Sequence, residues 1–213
     1  MPFLAKAEIL SQLNRLITRN PDIECVHQAS YDLRLGREIY VVGDRAPRLL
    51  SRKDPYLSLQ PGQFAVLTTH EEVDIPRDML AFISVRSKFK LEGLVNISGF
   101  HVDPSFRGIL KFGVQNVGPV EIHLKFCEPT FTIFFANLTS EIKEEDGRDH
   151  QDDIYFRQGV SGISLEDVQL LGGNSVTLSA LQKEVERLRT LVTIYIPVAI
   201  SVIVALLIKL LSK

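Results

Sequence analysis

From Leu191 to Ile208 the chain reads LVTIYIPVAISVIVALLI, 18 consecutive residues without a charge. Coiled as an α-helix, that run is about 27 Å long, close to the hydrocarbon thickness of a bilayer, about 30 Å. Arg187 and Arg189 precede it and Lys209 and Lys213 follow it, cations placed where head-group phosphates lie. Tyr195 stands one turn inside, and Pro197 would kink the span without exposing its backbone to water. A helix buried in a soluble core has a similar composition, but so long an uncharged run at a C-terminus reads as an anchor. The opening stretch MPFLAKAEILSQLNRLITRN carries polar residues throughout, unlike a secretory signal. The expectation is one C-terminal transmembrane helix over 191–209, with the N-terminal head in the cytosol.

Ahead of the span, Leu178, Leu181, Val185, Leu188 and Val192 recur at spacings of 3, 4, 3 and 4, about two heptads of an a/d seam. Ser175 or Thr177 can cap the helix that carries them. This predicts an amphipathic or coiled-coil stalk over 177–190, either monomeric or associated through an oligomeric head.

The remaining composition restricts what the head does. With 24 Lys+Arg against 26 Asp+Glu the net charge is −2, which argues against a basic face that coats nucleic acid. The mean hydropathy of +0.09 owes its excess chiefly to the apolar tail. Two cysteines, Cys25 and Cys127, exclude a disulfide scaffold and a multi-Cys zinc site. The segment 141–153, EIKEEDGRDHQDD, carries a net −5 and reads as a solvated loop, leaving +3 for everything else. A local site for one small anion is compatible with that balance.

Residues 3–18 place apolar side chains at Ile9, Leu10, Leu13, Leu16 and Ile17, predicting a short helix stopped by Asn20-Pro21. Beyond it, apolar runs at 38–42, 63–69, 80–85, 108–115, 121–125 and 130–135 alternate with turns such as Pro61-Gly62, Asp103-Pro104 and Gly118-Pro119. That spacing predicts an all-β barrel or sandwich. Neither G-x-x-x-x-G-K-[ST] nor G-x-G-x-x-G occurs, so the two common nucleotide cradles are missing.

Five separated segments, in order, resemble the superfamily of dCTP deaminases and dUTPases. They are Ala29–Gly36 (ASYDLRLG), Leu59–Phe64 (LQPGQF) followed by Thr69, Glu71, Val73 and Pro76, Val85–Lys88 (VRSK) with Gly93-Leu94, His101–Gly108 (HVDPSFRG), and Asn116–Gly118 (NVG). Tyr155 and Gln158 are similar to the deaminase C-terminal Y-x-x-Q. The resemblance covers about residues 5–160. It implies a mainly β, dUTPase-like barrel of the β-clip or jelly-roll type with a short N-terminal helix. It also implies a homotrimer with sites between subunits and a (deoxy)nucleotide such as dUTP or dCTP as ligand. The expected organisation is a nucleotide-binding head over 1–160, a linker over 161–176, then the stalk and span.

Carried over residue by residue, the resemblance implies nucleotide contacts at Arg86, Ser87, Lys88, His101, Val102, Asp103, Phe106, Asn116, Tyr155 and Gln158. Arg86 offers a fork of donors and Ser87 a hydroxyl to phosphate oxygens, with Lys88 as a point charge; an ordinary surface ion pair is the plainer reading. Asp103 would activate water or hold a sugar hydroxyl, or simply cap its Asp-Pro turn. Phe106 would pack beneath a deoxyribose, or in the core. His101 has no Cys or Glu at metal spacing, so no protein-bound metal is expected, with Mg2+ admitted only through nucleotide phosphates.

The match fails at three places. The deaminase glutamate that moves protons at the cytosine ring falls on Gly113, its second arginine on Leu91, and its C-terminal lysine on Ile154. Loss of a general acid/base costs about 10²–10⁴-fold in rate. Three functions follow as expectations: a nucleotide-binding or sensing module with weak or no deamination, a dUTPase-type pyrophosphohydrolase or dCTP deaminase, and a scaffold with a vestigial pocket.

Overall fold

The computed structural model describes residues 2–143, 162–163, 168 and 178–211. The chain divides into two units, Met1–Ser175 and Val176–Lys213.

In the first unit the six expected apolar runs all become strands, within β2 (Tyr31–Val41), β5 (Phe64–Asp74), β6 (Met79–Val85), β9 (Arg107–Asn116), β10 (Ile122–Lys125) and β11 (Pro129–Asn137). Short strands join them: β1 (Ile17–Arg19), β3 (Arg48–Leu49), β4 (Tyr56–Leu59), β7 (Leu94–Asn96) and β8 (His101–Val102). The main sheet runs β7-β9-β5-β2-β11-β6-β8, with β1 on β5 and β3 on β2. It curls because β2 changes partner midway. Tyr31–Arg34 pair with β11, whereas Leu35–Val41 pair with β5. Gly36 sits at the changeover, where a Cβ would lie 2.5 Å from both the Thr68 hydroxyl and the Thr69 carbonyl. Any side chain there would push the two strands apart.

The two arms of the curl face each other across the core. Phe112 of β9 stacks on Phe131 of β11 with ring centroids 3.8 Å apart. The separate β4–β10 ribbon closes the core with Leu57, Leu59, Ile122 and Leu124, all fully buried. A second, smaller apolar cluster lies where Tyr40, Val42 and Val66 meet Ile163, with Phe64 and Val168 packed against it. Thus Ile163 and Val168, inside the stretch expected to be linker, pack against strands β2 and β5.

The N-terminal helix is shorter than expected. It breaks at Gln12 into α1 (Lys6–Ser11) and α2 (Leu13–Leu16), and Ile17–Arg19 leave it to pair with β5. β-Branched Ile17 and Thr18 suit a strand, and Ile17 is buried opposite Val73. The sequence reading also missed helix α3 (Ser87–Glu92), one and a half turns with a single buried residue, Phe89.

In the second unit a continuous helix runs through Leu178–Thr190, a π-helical turn at Leu191–Tyr195, and Ile196–Leu211. Residues Glu184–Leu211 are long and apolar enough to cross a membrane.

Candidate functional site

Arg86 closes β6 and opens α3. Its backbone N–H donates to the Thr130 carbonyl at 3.0 Å, and its Nε donates to Asp32 Oδ2 at 3.0 Å. Asp32 is buried, and its carboxylate accepts two further bonds, from His27 Nε2 and Thr132 Oγ1, both at 2.8 Å. Three donors converge on this one buried carboxylate and fix the guanidinium above it. The Arg86 side chain stays 40% exposed, so its outer edge faces solvent with no further partner among the described residues. Ser87 is exposed beside it. Lys88 is exposed too, its ammonium 2.9 Å from Glu128 Oε1 and 4.7 Å from the Phe89 ring centroid. The hydrogen bond to Glu128 holds the Lys88 ammonium above the ordinary lysine range.

A second group of expected residues stands elsewhere. His101 and Val102 form β8, antiparallel to Phe82 and Ala81 of β6. His101 Nε2 lies 3.4 Å from Asp103 Oδ1, and both side chains are partly exposed. The turn after Asp103 is tied to the end of β5. Ser105 N–H donates to the Ile75 carbonyl and Ile75 N–H to the Phe106 carbonyl, both at 2.8 Å. Ser105 takes a left-handed φ of 68° to make this possible. Phe106 packs against the main core, and Val102 is buried in it, leaving only backbone to any ligand. Beside His101 an aromatic row continues through Phe100, Phe82 and Phe3, with successive centroids 5.1, 6.2 and 5.7 Å apart.

The register separates the two groups. Asp103 lies one residue beyond the Val102–Ala81 pair, six strand positions from Arg86 and therefore about 20 Å away along β6.

The remaining positions divide sharply. Asn116 is fully buried and its amide is committed to the fold: Nδ2 donates to the carbonyls of Leu59 and Val120, and Oδ1 accepts from Gly118 N–H. Its side chain therefore braces the 116–120 turn and has no free polar atom to offer a nucleotide. Gly113 lies on the outer face of β9, where a Cβ would meet the Phe64 ring at 3.1 Å and Ser98 Cβ at 3.5 Å. Leu91 is 90% exposed on α3. Tyr155, Gln158 and Ile154 lie outside the described residues, as does most of the acidic segment.

Sequence reasoning missed a buried polar network beside this region. Glu71, fully buried on β5, accepts from Arg34 Nε at 2.6 Å and from Arg34 N–H at 2.9 Å, with the Tyr31 hydroxyl at 3.4 Å. Arg34 also donates to Asp22 Oδ2 and to the Asn20 carbonyl. Burial pushes the Glu71 carboxyl up while Arg34 pulls it down, and burial pushes the nearby Cys25 thiol up to about 11. The Arg in YDLRLG and the Glu in TTHEEV are the traces it leaves in the sequence.

Residues 3–127 match the family described as dCTP deaminase-like. A dUMP-forming dCTP deaminase of Methanothermobacter thermautotrophicus is 28% identical over 151 residues, covering 62% of this chain and 76% of its own. A dCTP deaminase of Thermococcus kodakarensis is 31% identical over 121 residues, covering 56% of this chain and 75% of its own. Among solved structures, the 2'-deoxycytidine 5'-triphosphate deaminase of Agrobacterium tumefaciens superposes with a TM-score of 0.54 at 18% identity. That match covers 72% of this chain and 54% of the solved one, about half its length, and it speaks to the shared fold.

Proposed function

The chain belongs to the dCTP deaminase-like family, and from that premise we propose that it is a membrane-anchored (deoxy)nucleotide-binding or sensing protein with little or no deaminase activity. The observation that carries this reading is Gly113. The position assigned to the proton-moving glutamate has no side chain, and the space a Cβ would enter is bounded by the Phe64 ring and Ser98. Without a general acid/base at the base ring, a bound pyrimidine keeps its amino group.

The phosphate-facing half is better equipped. Arg86 presents its outer edge, with Ser87 and Lys88 beside it, to an anionic group. Asp103 with His101 suits a sugar hydroxyl. The spacing of about 20 Å that the register places between Arg86 and Asp103 exceeds what adjacent parts of one nucleotide bridge, which supports a site shared between copies in a homotrimer. Among the described residues no three of His, Cys, Asp and Glu gather as a cation site. Under this reading Mg2+ would enter on the nucleotide's own phosphates.

The partly exposed Asp103 favours one runner-up, a dUTPase-type hydrolysis in which its carboxylate accepts a proton from the attacking water. Full-length chain in detergent, titrated with dCTP and dUTP by calorimetry while products are separated, distinguishes the readings. Binding without turnover is expected. Rapid release of pyrophosphate supports hydrolysis, deamination refutes the proposal, and no binding of either nucleotide leaves a scaffold. The anchor is tested by alkaline extraction of membranes, in which the chain should stay in the pellet.

A further inference from the structure

The second unit carries a face that the nucleotide reading does not use. On Leu178–Thr190, a helix rich in charge, Leu181, Val185 and Leu188 recur at spacings of 4 and 3 and are each at least half exposed. With Leu181 and Leu188 at d and Val185 at a, the flanking g and e positions hold Glu184 and Arg189. In parallel, in-register helices a g residue faces the e residue of the neighbour's next heptad, so Glu184 of one copy meets Arg189 of the other. This charge match names the occupant of the face as a second copy of this chain.

The face does not continue as the sequence repeat alone would place it. An unbroken α-helix would carry it to Tyr195, Ala199, Val202 and Leu206. At Leu191–Tyr195, however, the helix makes a π turn, and Ile196 N–H donates to the Leu191 carbonyl five residues back. Pro197 lies just beyond and has no N–H to give the Thr193 carbonyl, a local reason for the irregularity. One extra residue in the turn advances every later position by one. The face above the turn is then continued by Ile196, Ile200, Ile203 and Leu207, all exposed branched aliphatics.

We propose that this helix associates with parallel copies of itself along one seam, Leu181-Val185-Leu188 followed by Ile196-Ile200-Ile203-Leu207, with the register advanced at the π turn and Glu184–Arg189 pairs between neighbours. The lower part of the seam rests on the reading that 184–211 spans a membrane. The branched side chains pack one helix against the next there, and Tyr195 is turned off the contact.

The test uses the full chain in vesicles with Cys127→Ser, Cys25 being buried. Single changes Val185→Cys, Ala199→Cys, Ile200→Cys, Val202→Cys and Ile203→Cys are oxidised and the covalent dimers counted against the chain lacking the added cysteine. Ile200→Cys and Ile203→Cys should cross-link severalfold more than Ala199→Cys and Val202→Cys. The reverse order, equal yields or no cross-linking overturns the proposal. Glu184→Arg should lower cross-linking at Val185→Cys severalfold and Glu184→Arg with Arg189→Glu should restore it; no change with either overturns the pairing. Alkaline extraction of the same vesicles tests the anchor separately: release into the supernatant refutes the span, while Val185→Cys still reports on the stalk.

Discussion

Replacing Arg34 by methionine would strip the Glu71 carboxylate of its counter-charge while keeping much of the side-chain volume. Glu71 is 0% exposed, and of its bonds only the Arg34 backbone N–H at 2.9 Å and the Tyr31 hydroxyl at 3.4 Å would survive. Removing one partner of a buried ion pair costs about 3–5 kcal/mol, because a desolvated charge is left behind. For a domain of this size each kcal/mol lowers Tm by about 2–4 °C, so a fall of about 6–20 °C is expected. The loss should depend on pH with a definite sign. Burial already pushes the Glu71 carboxyl up, and Arg34 opposes that through its hydrogen bonds and charge, so the variant raises it further. A carboxyl whose folded pKa exceeds its unfolded value binds protons more tightly when folded. The deficit is therefore smallest near the ordinary carboxylate range and grows as pH rises through the folded value. Thermal unfolding of the full chain in detergent, followed by circular dichroism from about pH 5 to about pH 8, measures it. Arg34→Met with Glu71→Gln should regain much of the loss at the upper end. A Tm change below about 3 °C, a gap independent of pH, or a double variant less stable than the single one would refute the reasoning.

Arg86→Ala should weaken nucleotide binding by about tenfold or more, the worth of one charge-assisted hydrogen bond, and unchanged affinity by calorimetry would remove Arg86 from the phosphate site. Glu128→Gln should raise affinity up to about fivefold, since breaking an exposed ion pair to free Lys88 costs less than about 1 kcal/mol; weaker binding would contradict that competition. Asn116→Ala leaves Gly118 N–H and the Leu59 and Val120 carbonyls without their partner and should cost about 1–3 kcal/mol in urea unfolding. A neutral effect would show that the 116–120 turn does not depend on that amide.

The long strands were legible because each is an extended apolar run bounded by turn residues, and in β9 strict alternation over Ile109–Asn116 leaves one consistent buried face. Shorter elements carry no such record. Helix α3 buries one residue in six, and β8 contains two residues in all. The helix read over 3–18 followed a real apolar period, but the period could not say that Ile17 would pair with Val73. That pairing is a tertiary event, as is the changeover in β2, whose sole local trace is Gly36. In the candidate site the residue types were legible and their groupings were not. Nothing in HVDPSFRG or VRSK gives the register that holds Asp103 and Arg86 apart along β6. Nor does NVG announce that its asparagine is consumed by its own turn.

The charges around Arg86 differ in what a ligand could displace. Asp32 is buried beneath three donors, so removing Arg86 from it would strand a desolvated carboxylate, and the guanidinium stays where it is. Glu128 is paired with Lys88 near the surface, where the pair is worth little and water can replace it. A phosphate arriving at α3 would thus meet one fixed cation and one that it must take from a carboxylate. Under the proposed reading this makes the site responsive to ligand charge. Under the same reading, Gly113 beside the Phe64 ring would give a base an apolar wall in place of a proton shuttle. On that proposal, recognition of the phosphate and contact with the base would persist without deamination, because only the chemistry needs an acid that changes protonation state.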